Sequence, residues 1–88
     1  MESLRREIDA IDQRILDLIA ARVAVVLRVG DLKRALGWAV YDPERERMMI
    51  ERLSQGVRPP LDADTVRRIF ERLIDESRRI EQRHVNED

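Results

Sequence analysis

Hydrophobic residues recur in the first part of the chain at positions 4, 8, 11, 15, 18, 25, 29, 32 and 36. The steps alternate between four and three residues, which keeps one apolar stripe on one face of an α-helix. A first helix is therefore predicted over residues 3–36, with Ser3 as its N-cap and Gly37 just beyond its end. A second is predicted over 43–54. Asp42 precedes it, Pro43 takes the favoured first helical position, and Met49, Ile50 and Leu53 form its apolar face. The stretch Ser54-Gln-Gly-Val-Arg-Pro-Pro reads as a loop. A third helix is predicted over 62–84, with Asp64 complementing the dipole in its first turn. Its inner stripe runs through Val66, Phe70, Leu73, Ser77 and then Ile80 or Glu81. The polar tail from His84 to Asp88 is expected to fray.

The length of the first helix sets the architecture. It spans about 50 Å, at about 1.5 Å per residue, whereas a compact domain of this size is only about 30 Å across. The rest of the chain cannot cover it. The expected fold is all-α, with residues 1–88 forming a single domain of three helices that pairs its long helix with that of a second chain. A plain coiled-coil hairpin is the alternative that the same periodicity allows.

Composition narrows the function. The chain is 40% charged and 3% aromatic, with three glycines and three prolines, which suits helices and not a β-fold. A net charge of −1 provides no basic field for nucleic acid or an anionic membrane. Cysteine is absent, which excludes disulfides, thiolate metal sites and a cysteine nucleophile. No apolar run approaches membrane-spanning length and the N-terminus has no signal-peptide core, so a cytoplasmic protein is expected, without a fused regulatory domain. There is no metal-ligand cluster and no Gly-rich phosphate loop. The single histidine, His84, is too near the end to serve as a catalytic base.

Several polar residues stand out. Arg22 fills the gap in the first stripe between positions 18 and 25. A guanidinium there is costly unless paired. It either snorkels outward, meets a carboxylate of a partner chain, or faces a bound anion. Lys33, the sole lysine beside 16 arginines, lies close to three turns further on, about 16 Å along the same face. A compact ammonium differs from a planar fork as a donor, although one stray lysine needs no cause. Gly30 costs about 1 kcal/mol in mid-helix, which suggests either tight helix packing or a close approach to the backbone. Ser77 and Glu81 are an i, i+4 pair, each open to a structural reading: a serine bonded to its own helix, a glutamate solvated or paired with Arg78. Asp42 and Glu44 suit a helix start, while Glu46, next to Arg45, opens the apolar face of the second helix. Inward cations with a carboxylate or two bind a small polyanion. They can also catalyse a reaction that needs only confinement and fixed charge.

These residues fall in a known pattern. Leu4-Arg5, Ile8-Asp9-x-Ile11-Asp12, Ala21-Arg22, Val29-Gly30-x-x-Lys33, Asp42-x-x-Arg45-Glu46 and Ile69-Phe70-x-x-Leu73-Ile74-x-x-Ser77 follow one another in order and spacing. Over nearly its whole length the chain resembles the all-helical chorismate mutases. The resemblance implies an interlaced homodimer with two active sites, and the cofactor-free rearrangement of chorismate to prephenate in aromatic amino-acid biosynthesis. It implies that Arg22, and Arg5 from the partner chain, grip the two substrate carboxylates. Lys33 would donate to the enolpyruvyl carboxylate and the ether oxygen. Glu46 and the Asp42 backbone would hold the ring hydroxyl, Ser77 would help bind the ring carboxylate, and Arg45 would orient Glu46. Some small members of the family need a partner synthase for full activity.

One departure bears on mechanism. Many bacterial members carry glutamine where this chain has Glu81. A glutamine donates to the ether oxygen at any pH, but a glutamate donates only when protonated, so activity is expected to fall as Glu81 ionises. The neighbouring Gln82 would sit about 100° further round the helix. Two rival readings share much of this pattern: an isochorismate-pyruvate lyase with the same cationic pocket, and a helical dimerisation module without catalysis.

Overall fold

The computed structural model describes residues 1–87. These residues form three helices: α1 (Glu2–Ala35), α2 (Pro43–Gln55) and α3 (Ala63–Glu87). Among the described residues no helix is long and apolar enough to cross a membrane.

The helix ends follow from local chemistry. α1 begins ahead of Ser3, with Met1 at the N-cap position and no side-chain cap, so Ser3 is not its cap. The backbone bond from Arg5 N–H to the Met1 carbonyl (3.1 Å) already closes the first turn, and Glu2 complements the dipole there. At the other end Gly37 adopts φ +74°. Its N–H bonds to the Arg34 carbonyl (3.1 Å) and that of Trp38 to the Lys33 carbonyl (2.8 Å), a Schellman stop that needs glycine's left-handed freedom. Asp42 caps α2, its Oδ1 accepting from the Arg45 N–H at 3.1 Å. Asp62 does the same for α3, accepting from the Thr65 N–H at 2.7 Å. α3 then runs through Glu87, past the predicted end at 84. Residues 84–87 of the tail are helical, and His84 Nε2 reaches Asp31 Oδ1 on α1 at 3.1 Å; Asp88 lies outside the described residues.

α2 and α3 pack against each other, and α3 packs against the C-terminal half of α1. The chain measures 52 × 29 × 15 Å, drawn out by α1. Among the described residues, Val66 and Ile74 are the only buried hydrophobic side chains. The apolar stripe of α1 does not face α3. Leu4, Ile8, Ile11, Ile15 and Leu18 are exposed, and so are Val25, Val29, Leu32 and Leu36. The face turned toward α3 is offset round the helix and carries Arg22, Val26, Gly30, Lys33 and Arg34, all buried or half-buried. One helix therefore presents two faces: an uncovered apolar stripe along its length, and a polar face over its last turns.

The α1–α3 junction contains a small ionic cluster. Arg34 Nη2 lies 2.6 Å from Asp31 Oδ1. That guanidinium, helped by His84, holds the Asp31 carboxyl below its ordinary value of 3.8. A carboxyl lowered on folding adds stability above its unfolded value and loses it as pH falls through the folded value. The effect is small because the pair is exposed to solvent. Asp31→Asn is expected to flatten the fall in melting temperature below about pH 4 relative to the wild type. Parallel melting curves for the two proteins across that range would show that Asp31 contributes nothing.

Candidate active site

A cavity of about 520 Å³ opens where the three helices meet. α1 contributes Arg22, Gly30 and Lys33 to its wall; α2 and the residue before it contribute Asp42, Arg45, Glu46 and Met49; α3 contributes Ser77, Arg78 and Glu81. The heptad-like period of α1 puts Arg22 and Lys33 on one face, and the Schellman stop ends that helix shortly after the lysine.

The two cations from α1 are available. Arg22 is half-buried and its Nη2 donates to Met49 Sδ at 3.5 Å, a weak acceptor. Among the described residues neither Arg22 nor Lys33 makes an ion pair. Arg22 thus neither snorkels into solvent nor meets a carboxylate of its own chain. Two part-buried cations without counterions give the cavity a positive field suited to an anion.

Glu81 faces them from α3. Its side chain is only 16% exposed, and Oε1 is buried with no hydrogen-bond partner. The nearest cation is Arg34 Nη1 at 3.7 Å, beyond hydrogen-bonding range. The carboxyl lies flat over Gly30: a Cβ on that glycine would overlap Glu81 Oε1 and stand 3.3 Å from Cδ. Gly30 is thus a packing glycine, and what packs on it is the site carboxyl. Ser77 is buried, and its Oγ donates to the Leu73 carbonyl at 2.8 Å, so its single proton is engaged and the hydroxyl must turn from that bond before it can donate to a carboxylate.

Glu46 sits one turn into α2, half-buried. Its ion-pair partner is Arg78 of α3, through Nη2 and Oε2. Arg45, expected to orient Glu46, is exposed and meets Asp42 through its backbone. The pairing of Arg78 with Glu81, one reading of the sequence, does not occur; Glu81 meets Arg34 instead. Arg78, which lines the cavity, is not among the expected site residues; Arg34 and Tyr41 touch Glu81 and Arg78 without lining it. The Glu46–Arg78 pair joins positions 32 apart, and no helical spacing points across that distance.

Arg5 lies apart from the others. It is exposed on the first turn of α1, 3.7 Å from Glu2. About 25 Å of helix separates it from Arg22, so it cannot reach the cavity of its own chain.

Among the described residues no group of three His, Cys, Asp or Glu side chains could hold a metal ion. The cavity is a pocket between helices lined by fixed charges, an arrangement suited to a small anion. Residues 4–82 match the family model described as chorismate mutase type II, and the chain belongs to that family. It is 31% identical over 88 residues to a chorismate mutase of Methanocaldococcus jannaschii, covering 99% of this chain and 89% of that protein. It is 39% identical over 75 residues to the T-protein of Enterobacter agglomerans, of which it spans only 20%. A solved structure of chorismate mutase (form II) from Thermus thermophilus superposes with a TM-score of 0.88 at 33% identity, over 93% of both chains.

The Gly30 contact makes a direct prediction. Alanine there gains about 1 kcal/mol of helix propensity, and only the flexible tip of Glu81 has to move. Gly30→Ala is expected to melt at or slightly above the wild-type temperature. A fall of more than about 5 °C would mean that α3 presses on the glycine with something stiffer than the carboxyl.

Proposed function

We propose that the protein catalyses the rearrangement of chorismate to prephenate, the step toward phenylalanine and tyrosine. The observation that carries this reading is the pair Arg22 and Lys33, part-buried and without counterions, facing Glu46 and Glu81 across one cavity. Chorismate carries two carboxylates and largely prefers an extended shape. Arg22 and a second arginine would clamp the carboxylates and hold the molecule folded, which removes much of the entropic barrier. Negative charge grows on the ether oxygen as the C–O bond breaks. Lys33 would stabilise that charge more in the transition state than in the ground state. Glu46 and the Asp42 backbone would take the ring hydroxyl, and Ser77, its hydroxyl turned from the Leu73 carbonyl, the ring carboxylate, with Arg45 adding positive field at the rim. No step needs a cofactor.

In this reading the second clamp is the partner's Arg5, and the functional unit is an interlaced homodimer of this single domain. The exposed stripe of α1 supports it. Burying each of its leucines, isoleucines and valines against another chain contributes about 1.5–3 kcal/mol. The same reading assigns the protein to the cytoplasm, with the pathway it serves.

Glu81 would face the ether oxygen in this reading, where a carboxylate opposes the developing charge and an amide would donate to it; the cation beside it is Arg34 of α1. Purified protein mixed with chorismate is expected to form prephenate, followed by loss of ultraviolet absorbance. Glu81→Gln is expected to be at least as active as the wild type. An inactive Glu81→Gln protein that keeps its helicity would mean that the carboxyl itself is required. Turnover of isochorismate to pyruvate and salicylate in place of chorismate would reassign the reaction.

The shared site has its own test. Arg5→Ala and Arg22→Ala chains are each expected to be inactive. Unfolded and refolded together, they are expected to recover about a quarter of wild-type activity, because half the pairs are mixed and each mixed pair rebuilds one intact site. No recovery, with mixed dimers present, would mean that Arg5 of one chain does not complete the site of the other.

A further inference from the structure

We infer that Arg78 is a positioning residue for Glu46, and that Tyr41 holds Arg78 in place. The inference rests on the reading above, in which Glu46 accepts the ring hydroxyl of the substrate.

Arg78 belongs to α3, Glu46 to α2 and Tyr41 to the connection between α1 and α2. Arg78 and Glu46 line the cavity, and Tyr41 stacks on Arg78. The Arg78 guanidinium contacts Glu46 Oε2 through Nη2, and its Cζ lies 4.7 Å from the centroid of the Tyr41 ring. Stacking on an aromatic face and bonding a carboxylate in its own plane are the two contacts that fix a planar fork, and lysine can reproduce only part of this. Nη1 adds a longer contact to Asp75 at 3.6 Å.

Two features argue against Arg78 being only a surface tie between helices. Its Nε is buried and has no acceptor. The residue therefore accepts an unpaired donor in order to put Nη2 on Glu46, whereas Arg47, Arg67 and Arg72 form their pairs with near neighbours on their own helices. The contact also takes only Oε2 of Glu46. Oε1 has no partner among the described residues, which leaves one oxygen, in a fixed direction, for a hydroxyl. Without Arg78 the Glu46 side chain, near the start of α2, can turn toward solvent.

A group that holds a binding carboxylate acts on substrate affinity. Arg78→Ala is expected to raise KM for chorismate about tenfold, with kcat changed far less. Arg78→Lys should recover part of the loss. Tyr41→Phe, which keeps the ring, should behave as wild type, while Tyr41→Leu should raise KM in the same direction as Arg78→Ala. The deciding measurement is a double-mutant cycle in kcat/KM. In a Glu46→Gln background Arg78→Ala should cost no more than about twofold further, because the residue it positions has already been changed. Circular dichroism and melting temperature of each variant separate this from lost folding, which would lower kcat through the active fraction and leave KM alone. Full multiplication of the two effects, or a wild-type KM in Arg78→Ala, overturns the inference while leaving the reaction intact. Wild-type protein that does not turn over chorismate overturns the reading beneath it, and this inference with it.

Discussion

The apolar stripe of α1 is the constraint from which the rest of the structure follows. A 34-residue helix is longer than any surface its own chain can lay against it, and the other two helices cover only its far end. They cover the wrong face for burial: Arg22, Gly30, Lys33 and Arg34 turn toward α3, while the hydrophobic residues beside them remain open. Two buried hydrophobic side chains among the described residues are far too few to offset the chain entropy of folding. The proposed homodimer would place the hydrophobic core between chains, which leaves the interior of a single chain free to be polar.

That division of labour explains how unpaired cations are tolerated. In a protein whose core lay between α1 and α3, a half-buried arginine with only a thioether for company would be a heavy liability. Here the face of α1 turned to α3 is spared from core duty, and it holds Arg22 and Lys33 without counterions among the described residues. Charges held ready in this way cost little rearrangement when an anion arrives, and they act on charge developing in a reaction for the same reason. The cavity and the exposed stripe share one helix, and Val25 and Val29 of the stripe also line the cavity.

Much of this was legible in the sequence because helices announce themselves locally. The alternation of four and three residues marked α1, Asp42-Pro43 marked the start of α2, and Gly37 marked the stop after Lys33. Arg22 betrayed itself by breaking an apolar stripe. The errors arose where another contact overrode a local signal. Ser3 reads as a cap, yet a backbone bond to Met1 closes the turn ahead of it. The tail reads as loose, yet His84 is held by Asp31, 53 positions away. Glu46 reads as a partner of its neighbour Arg45, yet its partner is Arg78. The period of the stripe called for another chain, but it could not say that the site would occupy the face beside it.

Gly30 and Glu81 join the two kinds of information. From sequence, a glycine in mid-helix is a local cost without a visible reason, and a glutamate late in α3 is an unplaced charge. In space each explains the other: the missing Cβ is the room in which the Glu81 carboxyl lies, buried at Oε1 and short of a hydrogen bond from Arg34. A carboxyl placed there with its oxygen unsatisfied is poorly arranged as a structural ion pair. The helix gives up propensity at residue 30, and in return the Glu81 carboxyl packs against its backbone within the α1–α3 contact.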